Sequence, residues 1–215
     1  MPRLAGSTPV GAPFRARAAS RRIGLFGGTF NPVHTGHLLM AQDAREALRL
    51  EQVRFIPCAF PPHKPAPDLA PARDRLAMLR LALRDHDGFV LDDLEIRRGA
   101  PSYSVDTLEA LRCRQPDAQF YFIIGADSLP DLPRWYQAAR LAKLATFVVV
   151  PRPGFALPAI PRGWRVRVLA GHACDIASRD IRRRVAAGKP IRELVPATVL
   201  RYIQRRNLYH ATKGA

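Results

Sequence analysis

The sequence predicts a single α/β domain with a doubly wound parallel sheet, in which helices cover both faces of the sheet. Short apolar runs alternate with amphipathic stretches from residue 22 onwards, which is the order of elements that such a fold requires. Several runs, such as 120–124 and 146–150, read as continuously apolar, as expected for strands buried on both faces. The 215 residues are enough for one domain with a sizeable core.

The apolar runs predict the strands, and the amphipathic stretches between them predict the helices. The strands are predicted at 22–26, 52–57, 89–94, 119–124, 145–150 and 164–169. The helices are predicted at 38–49, 71–85, 104–113, 131–143, 179–187 and 196–206. Two loops interrupt this order. Residues 57–71 contain six prolines, which favour a stiff extended segment, and residues 151–163 are also rich in Pro and Gly.

Glycines follow two of the predicted strands. Gly27 and Gly28 come directly after the first strand, and Gly125-Ala126-Asp127 follows the fourth. Nucleotides bound by doubly wound folds lie outside the carboxyl ends of the strands, near the point where the strand order reverses. Both turns are therefore predicted to lie on the ligand-binding side of the sheet.

The domain is predicted to span residues 22–210, with a disordered basic tail at 1–21 and a short tail at 211–215. Residues 1–21 contain arginine but no acidic residue, and they lack the apolar core of a secretory signal. An organelle transit peptide has a similar composition, and a start codon placed upstream of the natural one would also produce such a segment. We favour the last explanation or a disordered tail.

The formal charge of +16 and the pI near 11.1 favour polyanionic partners. Most of the cations are arginines in a chain rich in Ala, Pro and Leu, so we interpret much of the charge as compositional. No basic stripe interleaved with aromatic residues indicates RNA binding, and nucleic acid is not the expected partner. No run approaches the ~20 apolar residues of a membrane span. The three cysteines show neither metal nor disulfide spacing, which predicts a cytoplasmic protein.

The most informative motif runs from Gly27 to His37, Gly-Gly-Thr-Phe-Asn-Pro-Val-His-Thr-Gly-His. Glycines let backbone N–H groups approach an anion closely, and the N-terminus of a following helix adds a positive dipole. His34 and His37, placed just before a helix predicted to begin at Leu38, can donate to phosphate oxygens. We predict a nucleotide-phosphate site. Zinc ligation, a helix cap and a buried structural histidine are the alternatives, and no third zinc ligand with fitting spacing is evident.

This stretch resembles the signature of the nucleotidyltransferase superfamily, and more closely that of bacterial nicotinate mononucleotide adenylyltransferases. Further blocks strengthen the resemblance, which covers about residues 22–209. They are Pro61-Pro-His-Lys64, Pro101-Ser-Tyr-Ser-Val-Asp-Thr-Leu108, Ile123-Ile-Gly-Ala-Asp-Ser128, Leu132-Pro-Arg-Trp-Tyr136, Arg152-Pro-Gly154 and Asp175-Ile-Ala-Ser-Arg-Asp-Ile-Arg182. The resemblance implies a Rossmann-like nucleotidyltransferase fold.

It also implies a reaction in which the phosphate of nicotinate mononucleotide attacks the α-phosphorus of ATP, giving deamido-NAD and pyrophosphate, with Mg²⁺ as cofactor. The implied catalytic residues are His34, His37 and Arg182. The implied ATP-binding residues are Gly27, Gly28, Thr29, Phe30, Gly125, Asp127, Ser178 and Arg182. The implied residues for nicotinate mononucleotide are Lys64, Ser104, Trp135 and Tyr136, and no residue is assigned to a metal.

The block at 175–182 departs from the family pattern, because Ala177 and Arg179 stand where a Ser and a Thr are usual. Ser178 is predicted to cap the helix, and the free N–H groups of that helix are expected to hold phosphates. Each assignment has a structural alternative. The arginines of this block could form a solvated helix face, Trp135 could serve ordinary packing, and Asp127 could cap a helix.

Two alternative functions remain open at this point. The first is a sister enzyme that acts on nicotinamide mononucleotide, pantetheine phosphate or glycerol phosphate, although Trp135-Tyr136 and Tyr103-Ser104 favour a pyridine nucleotide. The second is a basic RNA-binding module. A homo-oligomer is compatible with the sequence, which does not determine the oligomeric state.

Overall fold

A computed structural model describes residues 20–60, 69–99, 101–151, 157–172 and 174–210. Its elements, in chain order, are β1 (Arg22–Gly28), α1 (Thr35–Leu48), β2 (Gln52–Pro57), α2 (Ala72–Leu83), β3 (Phe89–Leu91), α3 (Leu94–Arg98), α4 (Ser104–Arg114), β4 (Gln119–Gly125), a 3₁₀-helix (Ala126–Arg134), α5 (Ala138–Leu144), β5 (Thr146–Val150), β6 (Val166–Val168), α6 (Ser178–Ala186) and α7 (Ala197–Arg205). The predicted tails at 1–21 and 211–215 lie almost entirely outside the described residues.

The six strands form one parallel sheet in the order β3-β2-β1-β4-β5-β6, which confirms the predicted doubly wound fold. After β3 the chain crosses to the other side of β1 to form β4, so the strand order reverses between β1 and β4. Loops leave these two neighbouring strands in opposite directions, which opens a crevice beyond their carboxyl ends.

Successive residues of a strand point to opposite faces of the sheet, and this alternation separates two apolar cores. Ile123 packs into the core beneath α1, α2, α6 and α7. Its neighbours Phe122 and Ile124 pack into the core beneath α4, α5 and the 3₁₀-helix. The sheet is therefore buried on both faces, as its apolar runs predicted.

The prediction of a single helix at 131–143 is wrong. The chain instead forms the 3₁₀-helix and then α5, with Gln137 between them in the left-handed region at φ 51°. Pro130 and Pro133 lie inside the 3₁₀-helix. Because proline has no N–H to donate, closely spaced prolines prevent a continuous α-helical hydrogen-bond ladder.

The segment after β3 also differs from its prediction. The strand predicted at 89–94 ends at Leu91, and the short helix α3, which was not predicted, follows at Leu94. The Asp92 side chain accepts a hydrogen bond from the Leu94 N–H at 3.1 Å, which satisfies one donor at the start of that helix. Across the described ranges, no helix combines the length and the apolar character needed to cross a membrane.

Candidate active site

A cavity of about 320 Å³ opens beyond the carboxyl ends of β1 and β4, where the strand order reverses. Nine of the residues predicted from the sequence line it: Gly27, Gly28, Thr29, His37, Ser104, Gly125, Asp127, Trp135 and Tyr136. They come from four regions of the sequence, at 27–37, 104, 125–127 and 135–136. The fold thus brings both predicted glycine turns and the predicted aromatic pair to one cavity.

The two histidines belong to the start of α1, which begins at Thr35 and not at Leu38 as predicted. His34 is the N-cap residue, and its backbone N–H donates to Nδ1 of His37 at 3.2 Å. The two rings stack with centroids 3.6 Å apart. Because Nδ1 of His37 accepts a hydrogen bond, the neutral ring carries its proton on Nε2. His37 lines the cavity, whereas His34 is buried beside it.

The glycine between the histidines lies in a tightly packed position. A Cβ atom added at Gly36 would lie 3.1 Å from Sγ of Cys174 and 3.2 Å from Nδ1 of His34. Both distances are shorter than an ordinary van der Waals contact, so a larger residue would displace the His34 ring or the Cys174 segment. The spacing His-x-Gly-His therefore reflects the close packing of this helix start.

The His37 ring packs against two phenylalanine rings. Its ring centroid lies 5.0 Å from that of Phe30 and 5.7 Å from that of Phe26, both in edge-to-face arrangements. Phe30 is only 1% exposed and has a φ of 47°, a left-handed conformation that is costly for a bulky residue. Its side chain packs beneath Gly28 and His37, so a contact between Phe30 and a nucleotide would come from its backbone.

The opposite side of the cavity is aromatic. The half-buried Trp135 packs edge-on against Phe122, with ring centroids 6.0 Å apart. The ring centroid of Tyr136 lies 4.4 Å from that of Tyr103. Tyr103 is the N-cap residue of α4, and Ser104 is its first residue. A flat ring that enters the cavity therefore meets an indole, two phenol rings and the N-terminus of a helix.

Ser178 and Arg182 lie at the start of α6, next to the Asn31-Pro32 turn. Ser178 is the first residue of the helix and not its cap, because Ala177 occupies the cap position. The Ser178 hydroxyl donates to the Pro32 carbonyl, and Nη1 of Arg182 donates to the Asn31 carbonyl, both at 2.9 Å.

These contacts join α6 to the glycine turn, although neither side chain lines the same cavity as His37. Arg182 faces a second cleft of about 450 Å³, together with Arg179 and Arg183. Lys64, the remaining predicted site residue, lies outside the described residues.

Comparisons with known proteins identify the family of the chain. The model of the cytidylyltransferase-like family matches residues 25–184. A protein of Synechococcus sp. (strain JA-3-3Ab), named "Probable nicotinate-nucleotide adenylyltransferase", is 46% identical over 196 residues, which cover 88% of this chain and 95% of that protein. A protein of the same name in Gloeobacter violaceus is 43% identical over 205 residues, which cover 90% of this chain and 98% of that protein. The chain belongs to the nicotinate-nucleotide adenylyltransferase family.

Membership of this family makes the chain a nucleotidyltransferase, as the resemblance implied. The solved structure of Plasmodium falciparum nicotinic acid mononucleotide adenylyltransferase complexed with NaAD is similar, with a TM-score of 0.74 over 88% of this chain and 97% of that one. The sequence identity of that pair is 19%, so the likeness shows the shared fold alone.

Sequence reasoning missed one residue of this adenylyltransferase cavity that carries charge chemistry. Glu95 on α3 lines the cavity and is only 6% exposed. The Thr107 hydroxyl donates to its Oε1 at 2.6 Å. Burial raises the pKa of the Glu95 carboxyl above its usual value, although hydrogen bonds from Thr107 and Ser102 oppose the shift. The sequence does place this acidic residue shortly before the Pro101–Leu108 block. Without a predicted helix at 94–98, however, nothing in the sequence directs its side chain towards the site.

Cys58 also lines the cavity, and its chemistry is passive. Burial raises the pKa of its thiol to about 11. A nucleophilic cysteine needs a lowered pKa, so this thiol remains protonated at neutral pH and is not a nucleophile. Among the described residues there is no group of three or more His, Cys, Asp or Glu side chains that could hold a metal ion.

Proposed function

We propose that the protein transfers the adenylyl group of ATP to nicotinate mononucleotide, giving deamido-NAD and pyrophosphate for NAD biosynthesis. One observation carries the proposal: a single cavity joins the glycine-histidine turn to the aromatic pair Trp135-Tyr136. The first wall suits phosphate groups, and the second suits a pyridine ring. The names of the curated relatives describe the same class of activity.

The acceptor supplies the nucleophile of this reaction. An oxygen of the mononucleotide phosphate forms a bond to the α-phosphorus of ATP, and the bond from that phosphorus to the bridging oxygen of the leaving pyrophosphate breaks. The protein then has to align the two phosphates and stabilise the charge between them. A neutral His37 with its proton on Nε2 fits this task as a hydrogen-bond donor. The protonated thiol of Cys58 agrees with a mechanism that uses no protein nucleophile.

We assign the other predicted residues to the two substrates. The backbone N–H groups of the Gly27–Phe30 turn contact the phosphates of ATP, and Asp127 after β4 accepts a hydrogen bond from a ribose hydroxyl. Ser178 and Arg182 serve the β- and γ-phosphates from the start of α6. Trp135 stacks on the pyridine ring, while the amides at Ser104 and Tyr136 receive its carboxylate. Lys64 belongs to the same proposal as a phosphate contact.

A divalent metal generally accompanies ATP in such transfers, and we propose Mg²⁺. The donor set fits this ion, because Mg²⁺ usually keeps several waters and is held by substrate phosphates with one or two carboxylates. Asp127 is a carboxylate that lines the cavity. Bound Mg²⁺ would neutralise charge on the phosphate groups. We also propose a cytoplasmic location, since Cys58, Cys113 and Cys174 are all free thiols, as in reducing compartments.

A substrate panel tests the function. Pyrophosphate release from ATP is measured with nicotinate mononucleotide, nicotinamide mononucleotide or pantetheine phosphate as acceptor, and we expect the highest kcat/KM with nicotinate mononucleotide. Activity with pantetheine phosphate alone would overturn the proposal. Higher kcat/KM with nicotinamide mononucleotide would retain the reaction and change the acceptor.

A pair of tryptophan variants tests the pyridine site. Trp135→Ala should raise KM for the mononucleotide by at least about two- to tenfold, because a stacked ring pair contributes roughly 0.5–1.5 kcal/mol beyond the area it buries. KM for ATP should remain nearly unchanged. Trp164→Phe is the matched control, because Trp164 packs against Phe147 and does not line the cavity.

A further inference from the structure

Arg75 of α2 is a buried cation beneath the candidate active site, with a relative exposure of 1%. Its guanidinium donates to four backbone carbonyls. Nη1 donates to Thr29 at 2.9 Å and to Cys58 at 2.8 Å. Nε donates to Ala70 at 3.1 Å, and Nη2 to Ala59 at 3.4 Å. Within the described part of the chain, no carboxylate lies within ion-pair distance of this guanidinium.

Burying an unpaired charge is expensive, so this arrangement requires close compensation. The carbonyl dipoles supply it, and the planar guanidinium is suited to several fixed acceptors because its five N–H groups point outwards from a rigid fork. Lysine has the same charge but only three donors on one atom. The position therefore needs the several donors of the arginine guanidinium as well as its charge.

Two of the four carbonyls that Arg75 binds belong to residues that line the cavity. Thr29 lies in the glycine turn after β1, and Cys58 follows β2; both line the cavity. The Cys58 N–H donates to the Gly28 carbonyl at 2.9 Å, so the two loops are also joined to each other. In a trans peptide the carbonyl and the N–H point in opposite directions. Binding the Thr29 carbonyl therefore fixes the direction of the Phe30 N–H.

We propose that Arg75 is a positioning residue for ATP: it holds the Gly27–Phe30 turn in its phosphate-binding conformation and adds positive charge beneath it. This inference rests on the proposed function, which places the phosphates of ATP at that turn. Arg75 acts through the backbone of the turn and touches neither substrate. Sequence reasoning did not single it out, because a lone Arg on an amphipathic helix is usually exposed.

The test compares three variants by isothermal titration of ATP, steady-state kinetics and thermal unfolding. Arg75→Lys keeps the charge and loses the fork, Arg75→Met loses both, and Arg80→Gln removes an exposed arginine of the same helix. We expect Arg75→Lys to weaken ATP binding and kcat/KM for ATP about tenfold, since small misplacements at a site have such costs. Arg75→Met should lose more, and Arg80→Gln should match the wild type.

Two results would overturn the inference. If the Arg75 variants are folded and bind ATP like the wild type, the residue does not position the turn, even if their melting temperature falls. If neither variant folds, Arg75 is a stability residue. A failure of the proposed function looks different: the wild type would then release no pyrophosphate with nicotinate mononucleotide. ATP titration of the variants would still test Arg75, because that binding needs no acceptor.

Discussion

His34 and His37 form a stacked pair with unequal roles, although the sequence presents them as equivalent. His34 is buried, caps α1 and gives its backbone N–H to the ring of His37. His37 faces the cavity and is held between that N–H and the rings of Phe26 and Phe30. A donor fixed in this way needs little reorganisation when charge develops on a phosphate, which is the basis of electrostatic catalysis.

Removal of the His37 ring should therefore reduce turnover without unfolding the protein. We expect His37→Ala to lower kcat at least a hundredfold, since the loss of one preorganised donor costs about 3 kcal/mol in an enzyme site. His86→Ala is the control, because His86 is exposed, stacks on Phe89 and does not line the cavity. Circular dichroism and pyrophosphate release measure fold and turnover. A folded His37→Ala protein with the kcat of the wild type would contradict the assignment.

Glu95 predicts an unusual dependence of stability on pH. Its folded-state pKa is raised by burial, so the folded protein binds this proton more tightly than the unfolded chain does. The contribution of Glu95 to stability is therefore present below about pH 4.3, the usual value for glutamic acid, and is lost as the pH rises through the raised pKa. Arg98 favours the charged form and Asp92 opposes it.

Glu95→Gln tests this sign. The free energy of unfolding of the wild type minus that of the variant should fall as the pH rises from 4 towards neutrality (roughly the window in which a raised carboxyl pKa lies). Urea unfolding at several pH values measures it. Glu51→Gln is a control of opposite sign, because Arg21 lowers the pKa of the exposed Glu51 carboxyl. If the difference in free energy of unfolding between the wild type and Glu95→Gln does not change with pH, the folded state does not raise the pKa of this carboxyl.

At the scale of elements, the start of α1 contains a glycine whose neighbours leave little room for a methyl group. Gly36→Ala should favour the helix by roughly 0.5–1 kcal/mol through propensity alone. The new Cβ, however, would lie 3.1 Å from Sγ of Cys174 and 3.2 Å from Nδ1 of His34. We therefore expect little loss of stability and a loss of activity, with kcat/KM about tenfold lower because His34 and its partner His37 move.

A double substitution separates the two contacts. Cys174→Ala removes the sulfur, and by itself it should leave activity near that of the wild type. Combined with Gly36→Ala it should restore part of the lost kcat/KM, because only the contact with His34 then remains. Coupling between the two sites is measured with a double-mutant cycle. Additive effects on kcat/KM would mean that the Cys174 segment does not press on the histidine pair.

Periodicity and turn chemistry were enough to predict most elements and the side of the sheet on which the cavity opens. Gly27-Gly28 and Gly125 marked strand ends, and the order of the strands brought them together. The 3₁₀-helix and α3 were missed because each is stabilised by local features, two prolines and the Asp92 side chain, that leave no apolar period. Glu95 and Arg75 were missed because their burial is a consequence of tertiary packing.

At the scale of the whole molecule, the positive charge is unevenly distributed along the chain. Residues 176–210 contain nine Lys and Arg but only two Asp and Glu. Several of these cations are already engaged: Arg183 pairs with Asp180, Arg206 lies 3.3 Å from Asp74, and Arg184 donates to the Pro190 carbonyl. The remaining charge favours the approach of anionic substrates by long-range attraction, which does not require a built nucleic-acid surface.

We therefore expect the protein to bind RNA only weakly and without specificity. A gel shift with a short single-stranded RNA should show retention at about 50 mM salt and lose it by about 200 mM, because contacts made only with phosphates release counterions and weaken steeply as salt rises. Arg201→Gln combined with Arg205→Gln, two exposed positions of α7, should lower the low-salt affinity for every RNA sequence alike. Adenylyl transfer to nicotinate mononucleotide should persist in that variant. Retention that survives 200 mM salt, or that depends on the RNA sequence, would instead identify a dedicated nucleic-acid site and make the basic segment functional in its own right.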